Sequence, residues 1–183
     1  MLSNAPKTIR YPCLCDVFLA VNCAFGVSAN ETLASRYKLT PYRNFHRFFP
    51  LAAYRDCGEI YKSGVRKDGV YTIKPDNLPA FDVFCDQTTA RGGWTVFQKR
   101  LNGSVDFFLN WSDYKVGFGD LNGEFWLGLD KIYRLTSDDN STLRVDLEDF
   151  NGNTAYAEYN KFGVTSENDK YRLKLGSYSG GLI

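Results

Sequence analysis

Few residues in this chain of 183 are of the types that do chemistry, and their spacing argues against most reactions. The single histidine, His46, lies in a basic stretch far from any candidate nucleophile, and reads as a stray surface residue. Gly176-Ser-Tyr-Ser-Gly180 approaches the Gly-x-Ser-x-Gly elbow of acyl-transfer enzymes. Its central residue, however, is Tyr178, which carries no nucleophilic hydroxyl of that kind, and a Ser-rich turn is the simpler reading. Gly117-Phe-Gly119 with Gly123 has one residue too many for a dinucleotide fingerprint and precedes no βαβ unit, and no phosphate-cradling P-loop is present. Asp149, Asn151, Gly152 and Glu158 follow part of a calcium loop, but the first ligand position falls on Leu147, and the same string works better as a hairpin turn. Asp138-Asp139 is an acidic pair in a polar loop, where carboxylates are ordinarily solvated. No residue is assigned a catalytic, metal-binding or ligand-binding role, no cofactor is implied, and the chain reads as a non-enzyme.

Sulfur chemistry is the exception. Cys13, Cys15 and Cys23 have neither the spacing nor a neighbouring histidine for a zinc site. Cys57 and Cys85 flank the start of a patterned region and read as a disulfide, which requires an oxidising compartment. Four Asn-x-Ser/Thr sequons, at Asn30, Asn102, Asn110 and Asn140, would be glycan acceptors in an exported protein. Asn140 in its polar loop is the best of them. Asn102 follows in a turn, and Asn110 adjoins Trp111, which is expected to be buried.

A net charge of +1, 44% hydrophobic and 23% charged residues describe a single ordinary globular domain with no electrostatic pull towards nucleic acid or membrane. Residues 1–29 have the plan of a leader: Lys7 and Arg10, an apolar run to Val27, then small residues ending at Ala29. Asp16 and Asn22 interrupt the run, so an unstructured leader or mistaken start competes with a signal peptide. The run is too short and interrupted for a membrane span. Residues 30–47 form a basic, aromatic linker with no heptad or Gly-X-Y repeat. It reads as solvated connector rather than nucleic-acid or polyanion contact.

From Cys57 onward, short strands alternate with turn signals. Strands are predicted at 69–73, 81–85 and 94–100, with Asn102-Gly103 turning the last into 105–108. Asn110 or Ser112 caps a short helix that stops at Gly117, and a second helix lies in 128–136. Residues 143–148 alternate apolar and charged, with Leu143, Val145 and Leu147 facing inward. Asn151-Gly152 turns the chain into a strand at 154–159, and another follows at 171–175. Aromatic residues make up 16% of the chain, and Trp94, Trp111 and Trp126 are expected to form a structural aromatic core. Hairpins interrupted by helices make an α+β fold with a mostly antiparallel sheet.

The motifs Arg55-Asp-Cys-Gly-Glu-Ile60, Gly69-Val-Tyr-Thr-Ile73, Gly92-Gly-Trp-Thr-Val-Phe-Gln98, Gly103-Ser-Val-Asp-Phe107, Gly117-Phe-Gly119, Gly123-Glu-Phe-Trp-Leu-Gly128, Leu143-Arg-Val-Asp-Leu-Glu-Asp149 and Tyr178-Ser-Gly180 occur in one order. Together they closely resemble the fibrinogen C-terminal (fibrinogen-related) domain, over residues 48–183. The resemblance implies a non-enzymatic, secreted recognition or adhesion module, lectin-like or receptor-binding. Its implied partners are glycans or cell-surface and extracellular-matrix proteins, with oligomers formed through a stalk. It also implies that the calcium loop, second disulfide and ligand pocket of the family lie beyond Ile183, leaving a partial domain with N-terminal and central subdomains only. A sheet edge and apolar surface should then be uncovered, and residues 57–183 alone should fold poorly. The alternative is a structural or assembly fragment that pairs with another chain through its open sheet edge, or a non-functional partial gene product.

Overall fold

The computed structural model describes residues 16–23, 54–138 and 140–182, the first segment as backbone. His46, Cys13, Cys15, Asn30, Asp139 and the linker 30–47 lie outside the described residues. The strands are β1 (Asp16–Cys23), β2 (Gly69–Ile73), β3 (Phe81–Asp86), β4 (Trp94–Lys99), β5 (Phe118–Gly119), β6 (Phe125–Trp126), β7 (Ser141–Glu148), β8 (Thr154–Val164), β9 (Leu173–Leu175) and β10 (Tyr178–Leu182). Three short helices join them: α1 (Cys57–Lys62), α2 (Trp111–Val116) and α3 (Leu129–Thr136). The strands form one antiparallel sheet in the order β10-β8-β7-β1-β4-β3-β2, with the β5–β6 pair attached to β4 and β9 attached to β8. The α+β class is as expected.

β2 and β3 form the hairpin that brings Cys85 back towards Cys57. The two half-cystines are joined, with Cα atoms 5.5 Å apart, and both are fully buried. α1, which periodicity did not reveal, forms because Asp56 caps it: its carboxylate accepts from Glu59 N at 2.8 Å. The core then runs from Ile60, Ile73 and Val83 through Trp94, Val96 and Phe97 to Phe125, Leu127, Ile132 and Phe162. Phe97 and Phe162 stack with ring centres 5.5 Å apart, joining the β4 side of the sheet to the β8 side.

Four expectations fail for identifiable reasons. Residues 105–108 are not a strand, because the backbone amides around them turn towards a buried carboxylate, Glu124. β7 keeps Leu143 inside but splays outward, so that Leu147 is 40% exposed. Its buried charged residue is Arg144, which bonds Asp146 through Nε at 2.8 Å and Glu158 through Nη1 at 2.6 Å. Burial alone would favour loss of the Arg144 proton, but these two carboxylates hold the charge in place. Tyr171 is not in a strand, since it and Lys170 adopt left-handed φ of 48° and 56°. The Ser-rich end is not a turn: it forms β10, paired with β8 from Tyr178↔Tyr159 to Leu182↔Ala155.

One further strand lies near the N-terminus. Asp16–Cys23, inside the segment that reads as a leader, lies between β4 and β7. All eight of its residues pair with β7, and four pair with β4. The sheet is therefore continuous through its middle.

Candidate functional site

Near-miss chemical motifs resolve into structural roles. Asp149 closes the β7–β8 turn, accepting from Asn151 N at 2.8 Å, Asn153 N at 2.9 Å and Asn153 Nδ2 at 2.8 Å. The Asn153 side chain, more than any other group, holds this carboxyl below its ordinary value. Glu158 is held by Arg144 instead. Among the described residues no group of three or more His, Cys, Asp or Glu side chains is placed to hold a metal ion.

The most organised surface is built around Glu124, which sequence reasoning passed over as one letter of a glycine-rich motif. Its side chain is 0% exposed. Oε1 accepts from the backbone N–H of Leu101 (2.6 Å), Asn102 (2.9 Å) and Gly103 (2.8 Å), and Oε2 from Val105 (2.9 Å). Arg100 Nε lies 3.5 Å from Oε1. Burial pushes the carboxyl up, but the four amide donors outweigh it and hold it down at about 2. The carboxylate thus fixes the path of the loop that follows β4.

That loop is also anchored by rings. Arg100 lies over Phe107 at 3.8 Å, and Phe107 meets Phe118 edge-on at 4.9 Å. The Tyr114 hydroxyl donates to Phe107 O at 2.8 Å, and Trp126 Nε1 donates to Tyr114 O at 2.7 Å. Asn110 caps α2 reciprocally: its Oδ1 accepts from Asp113 N at 3.2 Å, and its own N–H donates to Asp113 Oδ2. What this scaffold presents outward is apolar. Phe108 is 94% exposed, Trp111 59%, and Leu109 and Val116 are exposed beside them in sequence.

Trp111 is therefore not a core residue. The inward place on α2 belongs to Tyr114, whose ring packs on Phe118 and Trp126, while Trp111 in the first helical position leans on Tyr171 at 6.1 Å. Trp94 is buried, and its Nε1 donates to Thr89 O at 3.0 Å. Trp126 is half-buried against the core.

Charges brace the back of this surface. The Tyr171 hydroxyl donates to Asp130, and burial, then that bond, raise its pKa well above the ordinary value. Lys115 Nζ lies 2.9 Å from Glu167 and 3.9 Å from Asp130. Lys131 donates to Val116 O at 2.7 Å and Leu127 O at 3.1 Å, tying α2 to α3. Beside Lys131 is a cleft of about 180 Å³ lined by Asp82, Phe118, Phe125 and Trp126. Ligand pockets usually measure about 300–1,000 Å³, so it is too small for a ligand of ordinary size.

Of the sequons, Asn102 is exposed, with Oδ1 accepting from Ser104 N at 3.1 Å. Asn140 is exposed, and its backbone N–H faces Asp138. Asn110 is occupied as the α2 cap.

Comparison with known proteins gives the lineage. The family model for fibrinogen beta and gamma chains, C-terminal globular domain, matches residues 53–182. Fibrinogen C domain-containing protein 1 of Xenopus tropicalis is 52% identical over 132 residues, covering 69% of this chain and 29% of that protein. The chain thus spans less than a third of this curated relative. Among solved structures, the fibrinogen-like globe domain of human ANGPTL6 superposes with a TM-score of 0.68 at 44% identity, over 72% of this chain and 59% of that one. Lamprey fibrin D-dimer, complexed with the peptide Gly-His-Arg-Pro-amide, superposes with a TM-score of 0.64 at 40% identity, over 69% of this chain and 41% of that one.

Proposed function

The chain belongs to the fibrinogen C-terminal globular domain family, and from that premise we propose that it is a non-enzymatic, secreted recognition module. It meets a protein or glycan partner through the apolar shelf Phe108–Leu109–Trp111. The observation that carries this reading is the contrast at that shelf. Large apolar side chains stand in solvent on a loop that a buried carboxylate, a capping box and four aromatic rings hold still. Exposed apolar surface on a rigid support marks an interaction site, because ordering it costs little at the moment of binding. Export is supported by the buried disulfide, which persists in an oxidising compartment. No helix among the described residues is long and apolar enough to cross a membrane. Glycans on Asn140 and Asn102 fit their exposure.

The cleft near Lys131, at about 180 Å³, lies below the usual range of ligand pockets and is assigned no ligand. The peptide bound to the lamprey relative supports recognition of a peptide ligand, and Gly-His-Arg-Pro-amide is a ready probe. A second reading, assembly with another chain, is favoured by the sheet margin, where Leu173 and Leu175 of β9 and Tyr178 of β10 are exposed.

The test compares wild type with Phe108→Ser and Trp111→Ala on arrays of extracellular-matrix proteins and N-acetylated glycans, and with that peptide. Binding to at least one surface should fall at least about tenfold in both variants, with thermal unfolding unchanged. Variants that bind as tightly as wild type would refute the assignment of the shelf. Concentration-dependent dimerisation abolished by Leu175→Lys would favour assembly.

A further inference from the structure

We propose that the partner of the apolar shelf is a basic, apolar segment of another protein, with Lys or Arg flanking aromatic or aliphatic residues. The inference rests on the shelf being the recognition surface, and adds the charge of what it meets. Asp106 and Asp113 bracket Phe108, Leu109 and Trp111 in the chain, the first exposed and the second half-exposed. Asp106 Oδ1 accepts from Phe108 N at 2.8 Å, and Asp113 Oδ2 from Asn110 N at 3.3 Å. Both donors are uncharged backbone amides, which orient a carboxylate without cancelling its charge. Among the described residues neither carboxylate belongs to an ion pair. The cations nearby are already matched. Arg100 is held by Glu124 and lies over Phe107. Behind Trp111, Asp130, Glu167 and Asp169 balance Lys115, Lys170 and Arg172: Lys115 Nζ is 2.9 Å from Glu167, and Arg172 pairs with Asp169. At the Val116 end, Lys131 shares its cleft with Asp82. Asp106 and Asp113 are therefore left as net negative charge around an apolar centre.

That arrangement selects among partners. A sulfated or sialylated glycan, or an anionic bilayer, brings like charge to the two carboxylates and is repelled. A neutral sugar gains nothing from them. A segment apolar in its middle and cationic at its edges matches both features. Its apolar side chains leave water against Phe108, Leu109 and Trp111, and its cations meet carboxylates on a solvated rim. The exposed indole of Trp111 also offers its face to a cation. The two features act on different steps. Rim charges reach across a Debye length, about 10 Å at 0.1 M salt, and speed encounter, whereas apolar anchors slow escape.

Peptides of about twelve residues are selected from a random displayed library on the full chain in about 0.05 M salt, and those whose binding falls at least about tenfold with Phe108→Ser are retained. The retained peptides should carry more Lys and Arg than Asp and Glu, around aromatic or aliphatic residues. Asp106→Asn combined with Asp113→Asn keeps an acceptor oxygen for Phe108 N and Asn110 N while removing both charges. This double variant should slow association at least about fivefold and leave dissociation within about twofold. Raising salt to about 0.5 M should do the same to wild type, which reads the charges without any substitution. Phe108→Ser should instead speed dissociation. Retained peptides that are neutral or acidic overturn the proposal, and so does an association rate indifferent to the double variant and to salt. In either case the loss with Phe108→Ser still stands, and the shelf remains the binding surface. Neutral N-acetylated glycans whose binding needs Phe108 but not the two carboxylates would make a sugar the partner and overturn the proposal too. If no peptide depends on Phe108, the shelf itself fails, and this proposal with it.

Discussion

Replacing Glu124 by glutamine tests whether one buried carboxylate organises the surface loop. The wild-type carboxyl is held at about 2 against an ordinary 4.5. At 1.36 kcal/mol per pH unit, that difference makes the ionised group worth about 3 kcal/mol of folding stability. Because the folded value lies below the unfolded one, the contribution is fully present above pH 4.5 and is lost as pH falls towards 2. The Glu124→Gln side chain keeps one acceptor oxygen but turns an N–H2 donor towards a backbone donor, at either the Val105 amide or the three amides before it. The variant should be less stable by about 3 kcal/mol at pH 7, a urea midpoint lower by about 1–2 M. The gap between the two proteins should shrink by about 3 kcal/mol between pH 7 and pH 2, since wild type loses its advantage there and glutamine has none to lose. Urea unfolding followed by tryptophan fluorescence at pH 7, 4.5 and 2 measures both. A variant within about 0.5 kcal/mol of wild type at pH 7, or a gap that stays constant with pH, would refute the account.

Two further outcomes follow from the scaffold. Replacing both Cys57 and Cys85 by alanine opens a loop with a sequence separation of 28 and should cost about 3–4 kcal/mol in denaturant unfolding. A loss below about 1 kcal/mol would mean that the bridge does not restrain the unfolded chain. At Gly117, φ is 99° and an added Cβ would sit 2.2 Å from Leu127 O, a clash of the new side chain with backbone. Gly117→Ala should therefore lower the melting temperature by at least about 5 °C. Gly181→Ala, where a Cβ meets nothing within 4 Å, should leave it unchanged.

Much of the scaffold was legible because it rests on neighbours in sequence. The turn at Asn151-Gly152, the Asn110 cap and the helical spacing in Leu129–Thr136 are local rules, and the structure follows them. Ordered glycine and aromatic motifs were specific enough to identify the family before any geometry was known. Burial is different, since it depends on what arrives from elsewhere in the chain. Trp111 and Trp126 look alike as letters, yet one stands in solvent because Tyr114 takes the inward place beside it. Glu124 became the keystone of a loop about twenty residues upstream, which no periodicity announces. An apolar run such as Asp16–Cys23 satisfies the hydrophobic requirement of a leader and of a sheet strand equally well. Its placement between β4 and β7 joins strands that are distant in the sequence, which no local pattern reveals.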